Sequence, residues 1–168
     1  MKIAITAPPW IPIPPKGYGG IERVVYNIAE GMVKKGHEVT LYATGDTQTS
    51  AHVSFFYSKA LGNHKNFKLN PFYIVSHLHH FYKDANKYDI IHDNAAELSP
   101  YFSDFISTPC VYTLHGSYVV DPKDILAEYH WTESVRDTLM QFKHLPFISI
   151  SDYQRNILPE LNYVKTIY

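Results

Sequence analysis

Two stretches of the sequence carry glycine in positions where a ligand could approach the backbone. The first is a glycine-rich tip, Gly17 to Gly20, at the end of a proline-rich arm that begins at Pro8. Glycine allows close approach of the backbone to a ligand, and the N–H groups at the start of the following helix favour an anion such as a phosphate. A plain connection with glycine as the helix N-cap is the alternative. The spacing does not match Gly-x-Gly-x-x-Gly directly after a strand, so no dinucleotide site of the NAD type is predicted.

The second stretch is His115-Gly116, which ends an apolar run. An imidazole can donate or accept a hydrogen bond near neutral pH, and Gly116 would leave room for a ligand. A strand-end histidine bonded to a nearby carbonyl is the alternative. Asp93 follows another apolar run and could accept hydrogen bonds from a hydroxylated ligand or cap the next helix.

Two other polar patterns favour structural roles. Ser151 and Gln154 have the spacing of a capping box, in which each side chain satisfies a backbone N–H of the other residue. His77 and His80 are spaced to share a helix face, but a zinc site needs further ligands at suitable spacing. We therefore predict a solvated helix face, with Asp84 one turn beyond His80, and no metal.

Short apolar runs alternate with longer amphipathic ones, which is typical of parallel strands joined by crossover helices. The sequence thus predicts an α/β fold, a Rossmann-like parallel sheet with helices on both faces. Ligands of such sheets bind at the carboxyl ends of the strands, where the polar segments lie. The predicted strands are Lys2–Ala7, Glu38–Ala43, His52–Tyr57, Asp89–His92, Pro109–Leu114, Pro146–Ile150 and Tyr163–Tyr168.

The clearest helix is predicted over Gly20–Lys35, because its apolar residues recur at spacings of three and four before Gly36 ends it. Residues 58–70 are polar and aperiodic, which indicates a surface loop. The other predicted helices are Pro71–Asn86, Ala95–Ile106, Pro122–Lys143 and Asp152–Leu158.

Composition limits the partners. The chain of 168 residues predicts a single domain over 1–168, and its formal charge of −1 gives no electrostatic reason to expect nucleic acid. The lone Cys110 lies in an apolar run and predicts a reduced thiol in a cytoplasmic setting. No apolar stretch approaches the length of a membrane span, although peripheral contact of a surface helix with a membrane stays open.

A series of motifs, taken in order, resembles the N-terminal domain of a family 4 (group 1) glycosyltransferase, and the proline-rich opening is similar to the avilamycin-type branch. The motifs are Gly-Gly-Ile-Glu-Arg at 19–23, Gly-His-Glu-Val-Thr-Leu at 36–41, Tyr-Asp-Ile-Ile-His at 88–92, Val-Tyr-Thr-Leu-His-Gly at 111–116 and Phe-Ile-Ser-Ile-Ser-Asp at 147–152.

The resemblance implies a retaining transfer of sugar from a nucleotide-sugar donor to an acceptor hydroxyl, in a cleft between two Rossmann-like halves of a GT-B fold. It implies that Gly19 and Gly20 approach the donor diphosphate, that His115 contacts the transferred sugar, and that neither a metal nor another cofactor takes part. The expected acceptor pocket contains Trp10, Tyr18, Asp93, Gly116 and Tyr118.

The family's paired glutamates and its phosphate-binding Arg and Lys belong to the C-terminal, donor-binding domain. The last predicted strand ends on an apolar residue without a cap, so we expect that domain to lie beyond this chain, and we expect the chain alone to be inactive. The alternatives are a non-catalytic module that binds a glycan or nucleotide and a GT-B-type nucleotide-sugar epimerase.

Overall fold

The computed structural model describes residues 1–62, 70–95, 97–119 and 131–168. Within them, a sheet of seven parallel strands has the order β3-β2-β1-β4-β5-β6-β7. The α/β fold class is confirmed, with strand ends shifted by one or two residues at most. The strands are β1 Lys2–Thr6, β2 Glu38–Ala43, β3 His52–Phe55, β4 Ile90–Asp93, β5 Cys110–Leu114, β6 Phe147–Ser149 and β7 Tyr163–Thr166.

Alternate side chains of β1 enter different clusters of the core. Ile3 and Ile5 pack with apolar residues of the first helix, α1 (Gly20–Lys34). Ala4, between them, packs with residues of the second helix, α2 (Pro71–Tyr82). Because successive side chains of a strand point to opposite faces, α1 and α2 cover opposite faces of the sheet, as the sequence predicts.

The first helix ends close to its predicted boundary. Lys34 is its last residue, and Gly36 has a φ of 83°, the left-handed conformation that the sequence predicts for a glycine that closes a helix. The last described helices are α3 (Trp131–Gln141) and α4 (Asp152–Ile157). The first part of the helix predicted over Pro122–Lys143, and residues 63–69 of the predicted surface loop, lie outside the described residues.

Two predicted helices are too long. Helix α2 stops at Tyr82, and a 3-10 turn over Ala85–Lys87 follows where the sequence predicts helix up to Asn86. In place of a helix over Ala95–Ile106, the structure has a 3-10 helix over Ser99–Phe105. Pro100 lies in the first turn of this 3-10 helix, where an N–H would have no partner within the helix. Because proline lacks that N–H, it could not continue a helix that began at Ala95.

The prediction of a solvated histidine face on α2 is wrong for His77, which is fully buried. Its Nε2 lies 2.9 Å from the carbonyl oxygen of Ala7, and its neighbours on α2 belong to the core. His80 is half-buried, with Nε2 3.0 Å from Ser54 Oγ. Across the described residues, no group of three or more His, Cys, Asp or Glu side chains is arranged to hold a metal ion.

Burial of histidines predicts that acid destabilises the fold. Desolvation lowers the pKa of His77 to about 4, so below pH 6.5 the unfolded chain binds protons that the folded chain does not. His77 alone should therefore lower the free energy of unfolding by about 3 kcal/mol between pH 6.5 and 4, and His92 and His115, whose pKa values burial also lowers to about 4, add to this fall. Urea unfolding at a series of pH values measures this fall.

His77→Gln keeps an N–H for the Ala7 carbonyl but cannot titrate, and we expect it to reduce the pH dependence by the share of His77, while those of His92 and His115 remain. His79→Gln, on the exposed face of the same helix, is the matched control. Buried Asp93 acts in the opposite direction, because its pKa is raised to about 6 and it takes up a proton in the folded state. An unchanged slope in His77→Gln would show that this histidine is not the source.

The remaining expectations from composition concern Cys110 and the membrane. Cys110 is a half-buried free cysteine, and burial raises the pKa of its thiol, which keeps it protonated. None of the helices in the described part of the chain combines the length and apolarity needed to span a membrane.

Candidate functional site

A cleft of about 380 Å³ opens at the carboxyl ends of the central strands, beside the start of α1. Among the predicted site residues, Trp10, Tyr18, Gly20 and His115 all line it. The other lining residues, which the sequence did not single out as site residues, are Ile11, Ile21, Glu22, Val24, Ile150, Ile167 and Tyr168. The cleft is thus largely apolar, with few polar groups at fixed places, which is typical of small-molecule sites.

Backbone hydrogen bonds fix the proline-rich arm that carries Trp10. The N–H groups of Leu61 and Gly62 donate to the carbonyls of Pro9 and Trp10, at 3.0 and 2.9 Å. Gln48 N donates to the Ile13 carbonyl at 2.7 Å. The loops after β2 and β3 therefore hold the arm against the sheet, which leaves the Trp10 side chain half-buried at the cleft wall.

The glycines of the tip have different roles. A Cβ on Gly19 would lie 2.6 Å from Pro15 Cβ, so this position needs glycine for packing within the chain. A Cβ on Gly20 would meet nothing within 4 Å, and Gly20 faces the cleft. The side chain of Arg23 supports the tip by donating to the Gly17 carbonyl at 3.0 Å. Of the three glycines of the tip, Gly20 is therefore the one that offers open backbone to a ligand in the cleft.

The ring of His115 is held by a buried amide. Its Nε2 lies 3.0 Å from Oδ1 of Asn94, which is 1% exposed. Burial, together with nearby His92, lowers the pKa of His115 to about 4. At neutral pH the ring is uncharged, so it can exchange hydrogen bonds with a ligand but supplies no positive charge.

The backbone around His115 is held by Gln154. Its Nε2 donates to the carbonyls of Leu114 and Gly116, at 2.9 and 2.6 Å, and its Oε1 accepts from Ile150 N at 3.0 Å. Ser151 Oγ accepts from Gln154 N at 3.1 Å, which confirms half of the predicted capping box. The other half is wrong, since the Gln154 side chain joins α4 to the His115 loop instead of to Ser151.

Asp93 does not reach the cleft. It is fully buried, and its carboxylate accepts hydrogen bonds from Tyr82 Oη at 2.7 Å, Ala95 N at 2.8 Å and Ser99 Oγ at 3.0 Å. Burial raises its pKa to about 6 in spite of these partners. The structure places this carboxylate inside the fold, where it anchors the turn after β4.

Gly116 and Tyr118 also lie outside the cleft lining. Tyr118 is 7% exposed, packs in the cluster with Leu114 and Leu139, and has a φ of 54°, rare for a residue with a side chain. A Cβ on Gly116 would lie 2.8 Å from the Tyr118 ring. The glycine after His115 therefore makes room for Tyr118.

The supporting residues Asn94 and Gln154 carried only weak sequence signals. Asn94 is a polar residue at a strand end. That position indicates the edge of the sheet at which the cleft lies, but not that the side chain bonds to His115. Glu22 lies in the first turn of α1 and is 3% exposed, although an acidic residue in a first turn is usually a solvated helix end.

Comparison with known proteins identifies a matching family and similar solved structures. The model of Glycosyltransferase Family 4 matches residues 18–162. Sucrose-phosphate synthase from Thermosynechococcus elongatus has a similar structure, with a TM-score of 0.67 and 16% identity over 98% of this chain. AviGT4, a glycosyltransferase involved in avilamycin A biosynthesis, gives a TM-score of 0.41 and 19% identity over 77% of the chain.

The alignments cover 46% of the synthase and 38% of AviGT4, so the chain spans less than half the length of either protein. At this level of identity, the likeness to the synthase is one of fold. No curated protein matches the sequence.

Proposed function

Because the chain belongs to glycosyltransferase family 4, we propose that it forms one wall of a glycosyltransferase active site, at which a sugar passes from a nucleotide-sugar to an acceptor hydroxyl. The cleft that joins Gly20 at the start of α1 to His115 at the end of β5 carries this proposal. A second Rossmann-like domain of the same protein would form the opposite wall and bind most of the donor.

The two ends of the cleft suit the two parts of a nucleotide-sugar. The first N–H groups of α1 lack partners within the helix, and with the helix dipole they favour the diphosphate near Gly20. The neutral ring of His115 suits a sugar hydroxyl. Trp10 and Tyr18 offer aromatic faces for the acceptor, and Tyr18 is 86% exposed at the rim.

The proposed reaction breaks the bond between the anomeric carbon and the diphosphate oxygen and forms a bond to the acceptor oxygen, with the anomeric configuration retained. The hydroxyl proton of the acceptor passes to the departing diphosphate, and a nucleoside diphosphate leaves. This chain would contribute positioning and stabilisation of the departing diphosphate, without a metal or other cofactor.

An assay of the full-length protein tests the proposal. It is incubated with a panel of nucleotide-sugars and hydroxyl acceptors, and products are followed by mass spectrometry and by NMR of the anomeric proton. Retained transfer supports the proposal. An epimerised donor formed without acceptor would identify an epimerase, and binding without any turnover would identify a non-catalytic module.

We further predict that residues 1–168 alone turn over no donor and bind it weakly or undetectably, since one wall supplies only part of the contacts. Calorimetric titration of this chain with the donor active in the full-length assay measures the affinity. The full-length protein, titrated in parallel, is the positive control. Micromolar affinity of the chain alone would contradict the proposed division between the domains.

A further inference from the structure

The amide of Asn94 has a defined orientation. Asn94 Nδ2 lies 3.4 Å from the His92 carbonyl oxygen, to which it donates, and Asn94 N donates to the Thr6 carbonyl at 3.2 Å. If the amide were turned over, Oδ1 would face the His92 carbonyl, and two acceptors would be in contact. Oδ1 is therefore the atom that faces His115, and it can only accept.

This orientation determines which ring nitrogen of His115 carries the proton. A neutral imidazole has a single N–H, and Nε2 lies 3.0 Å from an oxygen that cannot donate. The proton must then be on Nε2, which leaves Nδ1 as an acceptor. Gln154 holds the backbone carbonyls on both sides of His115, so the ring and its backbone are both fixed.

We propose that Asn94 is a positioning residue that keeps His115 in the Nε2–H tautomer, so that Nδ1 accepts a hydrogen bond from a hydroxyl of the ligand in the cleft. The assignment of the hydroxyl to a ligand rests on the proposed function, whereas the tautomer does not. The cleft would then select ligands that donate at this point, such as sugars with a free hydroxyl, over deoxy analogues.

The titratable groups near His115 determine how its charge responds to pH. His92 on β4 is the titratable group that influences the pKa of His115. Burial lowers the pKa of His92 itself to about 4, so its ring is neutral at pH 7. Its Nε2 lies 2.7 Å from Thr113 Oγ1. Among the described residues, the other titratable side chains around the ring and the cleft include Tyr18, Glu22, Tyr118 and Tyr168.

NMR of the chain with ¹⁵N-labelled histidine tests the tautomer. Long-range ¹H–¹⁵N spectra at pH 7 should show His115 with a protonated Nε2 and an unprotonated, pyridine-like Nδ1, the signals being assigned by their loss in His115→Gln. Asn94→Ala should give a mixture of tautomers. A wild-type His115 with its proton on Nδ1, or an unchanged tautomer in Asn94→Ala, would overturn the proposal.

Asn94→Asp provides a second readout that a structural role would not move. A carboxylate in this position stabilises the imidazolium, so the pKa of His115 should rise by about 1 to 3 units. Asn27→Asp adds the same charge on the exposed face of α1 and should cause no comparable rise. If the pKa of His115 does not rise in Asn94→Asp, the proposed contact is wrong.

Activity of the full-length protein then tests the ligand contact. If the pKa of His115 in Asn94→Asp reaches about 6, its kcat/KM at pH 5.5 should fall about fourfold relative to pH 8, beyond any change in wild type. If kcat/KM of Asn94→Asp depends on pH in the same way as that of wild type, although the pKa of His115 has risen, the acceptor role of Nδ1 is contradicted. If wild type transfers no sugar, the proposed function fails, while the tautomer is still decided by NMR.

Discussion

Gly20→Ala is expected to lower kcat/KM of the full-length protein in the proposed transfer about 100-fold while the fold stays intact. The added methyl group meets no atom of the chain within 4 Å, so it would stand in the cleft where the diphosphate is proposed to lie. Displacing the donor by about 1 Å from its reactive position costs a factor of this size. Steady-state kinetics with the active donor, and urea unfolding of the same variant, measure the two effects.

The neighbouring glycines supply the controls. Gly17→Ala also adds a methyl group in open space, but outside the cleft lining. It should leave kcat/KM at the wild-type value and the free energy of unfolding within about 1 kcal/mol of wild type. Gly19→Ala would place Cβ 2.6 Å from Pro15 and should destabilise the fold by about 1–3 kcal/mol. Equal kcat/KM in Gly20→Ala and wild type would mean that no ligand approaches this backbone.

Most of the fold could be predicted because its signals are local. The apolar runs of the buried strands and the helical spacing of α1 depend on burial alone, and Gly36 marks a conformation that other residues avoid. The helix errors arise where tertiary contacts override such patterns. Ala95 N bonds to the buried Asp93 carboxylate, which turns the chain where periodicity predicts a helix.

The site could be predicted only in part, because side-chain partners are distant in sequence. Strand-end position identified His115, but its ring is oriented by Asn94 and its backbone by Gln154, which come from other strands or helices. The same position gave Asp93, yet burial and three hydrogen bonds direct this carboxylate inward. A strand end thus indicates an edge of the sheet, whereas the direction of each side chain depends on packing.

His115→Ala is expected to lower kcat/KM of the full-length protein in the proposed transfer about 100-fold, because the proposed ligand hydroxyl would lose its acceptor. The loss should appear mainly in kcat if the contact strengthens as the sugar departs, and mainly in KM if it is equal in both states. Because the ring is neutral above its pKa of about 4, the loss should not depend on pH between 6 and 8.

His79→Ala is the matched control, since it removes an exposed histidine on α2, which does not line the cleft. Its kinetics should equal those of wild type. The truncation at His115 also frees the Asn94 carboxamide oxygen, so unfolding by urea is measured alongside to separate a loss of contact from a loss of fold. A folded His115→Ala protein with wild-type kcat/KM would exclude His115 from donor binding.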